Sequence, residues 1–123
     1  MEALEELAVR IGSAGGLHPD AACFLGVALR EAVMNALLHG AGREGPRVTV
    51  GFAVTAGHDV LLTVRDRGPG FDPAMVPDPL TPENLARGHG RGILFMRRFA
   101  DEVSFRFPRR GGTVARLRKS LPN

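Results

Sequence analysis

The chain has no tryptophan, no tyrosine, a single cysteine and a single lysine. Each scarcity excludes something. One cysteine, Cys23, cannot build an intrachain disulfide framework and fits a reducing compartment such as the cytoplasm. Set in an apolar helical pattern, it reads as buried core filler rather than as a nucleophile. The lone lysine, Lys119, precedes Ser120 in the closing strand pattern, so no Walker A sequence is present. Aromatics amount to 6% of the chain, and Phe105 and Phe107 alternate as strand residues do, which leaves no stacking platform for nucleic acid. No apolar run approaches the length of a membrane span. The opening MEALEELAVRIG lacks a basic n-region, so no secretory signal is expected. His18, His39, His58 and His89 show no metal-ligand spacing.

What remains is an ordinary globular composition, 44% hydrophobic and 24% charged. At 123 residues, one domain spanning 1–123 is expected. A chain of this size buries roughly two thirds of its unfolded surface. The formal net charge of +3 is unevenly placed: from Arg87 to Lys119 the only acids are Asp101 and Glu102. Two readings stand for that basic third: attraction of phosphates or of an acidic protein partner, or a solvated arginine surface.

Periodicity divides the chain. Leu4, Leu7, Ala8 and Ile11 recur at helical spacing over 2–11. Pro19 suits the first turn of a second helix over 20–39, whose stretch 21–38 is polar only at Arg30, Glu31 and Asn35. A helix apolar nearly all round is expected to be buried, and Gly40 and Gly42 are natural stops. Strand alternation follows over 48–54, then AGHD turns the chain into a returning strand carrying Val60, Leu62 and Val64. Residues 67–89 hold five of the nine prolines and little periodicity, a long loop of the kind that serves as a lid. A helix over 92–99, a strand over 103–107, a turn at RRGG and a strand over 113–119 complete the order. The fold class implied is α+β: a mixed, mostly antiparallel sheet with helices on one face.

Three patches carry chemistry. In REAVMNALLHG, Glu31 and Asn35 are i and i+4 and share a helix face. A carboxylate and an amide in so apolar a helix need partners if buried. Asn35 suits a magnesium ion, and Glu31 suits acceptance of a proton from a hydroxyl or water; alternatively both lie on a solvent-facing stripe. In VRDRGPGFD, Asp66 is in phase with Val60, Leu62 and Val64, so its carboxylate points to the buried face. There it can accept from the exocyclic amine of adenine, or it merely starts a turn. Gly68 and Gly70 permit close backbone approach to a flat ligand. In GHGRGI, Gly88, Gly90 and Gly92, with Arg91, lead into a helix whose first N–H groups make a phosphate cradle. Thr113, after Gly111 and Gly112, faces inward, where its hydroxyl joins Asp66 or is simply satisfied in the core.

Taken together, EAVMNALLHG, DRGPGFD, GHGRGILFMRRFADEV and GGTVARLRK resemble the boxes of the GHKL superfamily, and specifically the bacterial anti-sigma-factor serine/threonine kinases, over roughly residues 20–119. The resemblance implies a two-layer α/β sandwich, the histidine-kinase-like ATPase fold, holding ATP and Mg²⁺ under a lid. It implies Asn35 as magnesium ligand, Glu31 as general base and Asp66 as the adenine-reading acid. Gly68 and Gly70 fall in the first glycine box, Gly88, Gly90, Arg91 and Gly92 in the phosphate-binding box, and Thr113 near the base. Family members phosphorylate an anti-sigma-factor antagonist, many also sequester a sigma factor, and they often dimerise; no nucleic acid or membrane contact is implied. Members carry a strand ahead of the first helix, whereas this sequence opens on a helical pattern, so a different sheet edge is expected. Two other readings share these boxes: the catalytic domain of a histidine kinase acting in trans, and a nucleotide-gated module that binds a regulator without transfer.

Overall fold

The computed structural model describes residues 1–39, 47–56, 58–67, 91–109 and 111–122. Its elements in chain order are α1 (Glu2–Ala14), α2 (Pro19–His39), β1 (Val48–Thr55), β2 (Asp59–Asp66), α3 (Arg91–Phe99), β3 (Glu102–Arg106) and β4 (Thr113–Ser120). Each falls within a few residues of the span that its periodicity implies. The expected stops Gly40 and Gly42, and the expected loop from Gly68 onward, lie outside the described residues.

The four strands form one sheet in the order β1-β2-β4-β3. A mixed sheet was expected; all three pairings described are antiparallel. The register builds rows across the sheet. On one face Val50, Val64, Ala115 and Phe105 form a row, and Phe52, Leu62, Leu117 and Val103 form the next. These side chains join Leu25, Ala28, Leu29, Ala32 and Val33 of α2 and Met96 of α3 in one core. The layers follow from patterning: period-two strands present one apolar face, and α2 covers it. No helix of the described residues is long and apolar enough to cross a membrane.

Helix α2 lies in the middle of the helical layer, flanked by α1 and α3. Gly26 admits α1: a Cβ there would stand 3.1 Å from Val9 Cγ2. Arg30, one turn on, faces Glu5 of α1 at 3.7 Å. On the opposite flank, Phe24 stacks on Phe99 of α3 with ring centroids 4.3 Å apart and planes at 13°. The outer stripe is left to solvent, and this corrects two expectations. Helix α2 is not buried all round, because Met34 and Leu37 are exposed, and Cys23 is exposed rather than core filler. Periodicity could not foresee this: an apolar helix sandwiched on three sides still has a fourth.

At the far end of the sheet Asp101, just before β3, accepts the Ser120 backbone N–H at 2.6 Å and sits 3.5 Å from Lys119 Nζ. Burial opposes its ionisation, but the Ser120 hydrogen bond and Lys119 outweigh that and hold its carboxyl below the usual aspartate value.

Candidate functional site

The row that ends the helix-side face of the sheet is Val48, Asp66 and Thr113. Asp66 is the one buried charged residue described, at 7% exposure, and its parity places it on the face that α2 covers. The inward carboxylate expected from strand phase is therefore present. Its Oδ1 accepts the backbone N–H of Thr113 at 3.2 Å. Thr113 was singled out for its hydroxyl, but the contact recorded is through its main chain. The strand pair thus presents a carboxylate, oriented by the Thr113 main chain, at the edge of the core.

Gly112 makes this arrangement possible, and the sequence reading passed over its role. It has φ of +86°, in the left-handed region, and a Cβ there would collide with the Asp66 carbonyl oxygen. The signal was available as a double glycine before a strand, but nothing local says which strand the second glycine must approach. Replacing Gly112 by alanine is expected to cost about 1–2 kcal/mol for the left-handed backbone alone, with more for the contact. A fall in thermal midpoint on the order of 5 °C or more, seen by circular dichroism, checks it.

Glu31 and Asn35 lie on α2 seven and eleven residues after Phe24, and therefore on nearly the same stripe. Since Phe24 stacks on Phe99, that stripe is the α3-side flank of α2. Both residues are half-buried. Among the described residues neither side chain takes a hydrogen bond or ion pair. The pair lies neither on the outer stripe nor locked in the core, but at its margin on the α3 side. Arg91 and Gly92 open α3, so its first N–H groups are at the end that follows the glycine cluster. Gly68, Gly70, Gly88 and Gly90 lie outside the described residues.

What can this set hold? A carboxylate at a strand end suits an amino group, and an amide oxygen beside a carboxylate suits a hard cation shared with phosphate oxygens. No cluster of three His, Cys, Asp or Glu side chains exists among the described residues. A divalent ion here would therefore draw most of its ligands from its phosphate partner and from water, as magnesium does. The donor chemistry fits a magnesium–nucleotide, the amide oxygen of Asn35 being a donor of the kind that magnesium takes.

Comparison with known proteins agrees with this chemistry. The family model described as a histidine kinase-like ATPase domain matches residues 1–119. The chain is similar to the anti-sigma F factor of Heyndrickxia coagulans, 38% identical over 96 residues, and to that of Bacillus subtilis, 38% identical over 95. The anti-sigma F factor of Anoxybacillus flavithermus is 36% identical over 94 residues. Each match covers 74% of this chain and 64% of the relative, so the chain spans a little under two thirds of the length of these proteins.

Proposed function

Since the chain belongs to the histidine kinase-like ATPase domain family, we propose that it is an ATP-dependent protein serine/threonine kinase of the anti-sigma-factor type. Its substrate is an anti-sigma-factor antagonist, and it also holds a sigma factor. The anti-sigma F factor relatives support the regulatory assignment. The observation that carries the chemistry is the Glu31–Asn35 stripe: an acid and an amide, half-buried, one turn apart and without side-chain partners among the described residues.

Asp66 accepts from the adenine exocyclic amine, while the Thr113 N–H keeps the carboxylate oriented. Guanine presents a carbonyl at that position and so offers the buried acid no donor there, which disfavours it. Asn35 would hold a magnesium ion through its amide oxygen, and that ion would supply neutralisation of phosphate charge. The opening N–H groups of α3 receive phosphate oxygens. Glu31 accepts the proton of the incoming serine or threonine hydroxyl as its oxygen bonds to the γ-phosphorus and the bond to the ADP oxygen breaks. Most of the acceleration comes from positioning and electrostatics rather than from Glu31 alone.

Incubation with γ-labelled ATP, magnesium and an anti-sigma-factor antagonist tests the proposal. Label that survives acid and is released by base is expected, as for phosphoserine or phosphothreonine. Acid-labile label would assign histidine transfer instead. ATP binding without any transfer would leave a nucleotide-gated binding module.

A further inference from the structure

The basic C-terminal third resolves into three groups once the fold is known. Arg118 and Lys119 are paired: Arg118 bridges Asp59 at 3.2 Å and Glu102 at 3.5 Å, and Lys119 meets Asp101. The hydrogen bond to Asp59 holds the Arg118 guanidinium above its usual value. Arg97 and Arg98 close α3 in the helical layer. Arg106 and Arg116 belong to neither group.

The register puts them on the face of the sheet opposite the one that the described helices cover. One row of that face reads Thr49, Arg65, Val114, Arg106, and the next reads Gly51, Thr63, Arg116, Ser104. Three arginines thus lie within two adjacent rows. All are exposed, and among the described residues none has an ion pair or side-chain hydrogen bond. Like charges so close on one sheet face are unfavourable unless something answers them. A concavity of about 490 Å³ on this face is lined by Gly51, Thr63, Ser104, Arg106 and Arg116 together with apolar residues of the strands. A concave surface lined by one sign of charge concentrates the field over it.

We infer that this face of the sheet docks an acidic segment of a protein partner, with Arg106 and Arg116 as its anchors. Charge complementarity selects the occupant. A second copy of the chain brings the same unanswered arginines to a two-fold contact, and the acids of this face, Asp59 and Glu102, are already engaged by Arg118. Single-stranded nucleic acid gains most of its sequence-tolerant affinity by stacking on aromatics, and the strand phenylalanines Phe52 and Phe105 belong to the opposite, core-packed face. A carboxylate-rich segment needs neither a symmetric partner nor rings, and guanidinium forks bind carboxylates two-pronged. This inference stands independently of the phosphoryl-transfer reading, because Arg106 and Arg116 have no part in the proposed nucleotide site.

Fluorescence anisotropy with a fluorescein-labelled oligoglutamate peptide tests it on the intact chain. The Arg106→Gln/Arg116→Gln double variant is expected to bind the peptide about tenfold or more weakly while binding ATP as the parent does. Arg97→Gln/Arg98→Gln is expected to bind the peptide as the parent does. Should the first double variant fail to fold, Ser104→Glu, which sets a like charge in the concavity, is expected to give the same loss. Equal losses in the sheet and helix variants would overturn the inference by showing general attraction to polyanions. It would also be overturned by tighter binding of oligothymidylate than of the peptide. Self-association of the parent that the sheet variant abolishes would do the same, by giving the face to a second copy.

Discussion

Glu31→Gln is expected to lower the phosphoryl-transfer rate by a factor of about 10² to 10⁴, the usual contribution of a positioned general base, and to leave ATP affinity nearly unchanged. The substitution keeps size and half-burial and removes only the capacity to take a proton. It breaks no hydrogen bond or ion pair to a side chain of the described residues, so no described contact of the fold is lost. Single-turnover rates with labelled ATP and the antagonist protein, set beside calorimetric titration with magnesium–ATP, separate the two effects. Loss of ATP binding with an intact melting curve would move Glu31 from proton acceptance to ligand positioning. An unchanged rate would remove it from the chemistry.

The second large effect belongs to Asp66. Asp66→Asn retains an oxygen for the Thr113 N–H, so the hydrogen bond at the strand end survives. What is lost is the charge that accepts from adenine in the proposed function. A hydrogen bond to a charged group contributes about 1.5–3 kcal/mol, so ATP affinity is expected to fall roughly 10- to 150-fold. Preference for ATP over GTP should shrink at the same time, because the amide that replaces the acid can donate as well as accept. Competition of ATP and GTP for the folded variant measures both. Undiminished adenine preference would take Asp66 out of base recognition and leave it a structural acid closing the β2–β4 pair.

Much of this was legible in the residues, and the reasons are specific. Asp66 was placed inward by counting from Leu62, because strand parity is rigid over a few residues. Glu31 and Asn35 were placed on one stripe by helical spacing, and Phe24 on the same stripe shows which flank it is. The limits are equally specific. Cys23 and Met34 sit in apolar sequence but on the outer side of α2, because coverage of a helix depends on neighbours that arrive from elsewhere in the chain. The order β1-β2-β4-β3 rests on a pairing between segments some fifty residues apart, Asp66 with Thr113, which no local pattern announces. Thr113 was noted for its hydroxyl and contributes its main-chain N–H, since side-chain identity says little about which backbone groups face a ligand. Gly112 is the same lesson reversed: its importance is the atom it lacks.

Arg65 and Asp66 are consecutive, and the pleat sends one to each side of the sheet. The layer there is a single peptide thick, with a carboxylate looking one way and a guanidinium the other. Anything bound behind the sheet at position 65 therefore touches the immediate neighbour of the acid in front. Positions 106 and 116 are not sequence neighbours of Asp66, which makes them the places where the two surfaces can be interrogated one at a time.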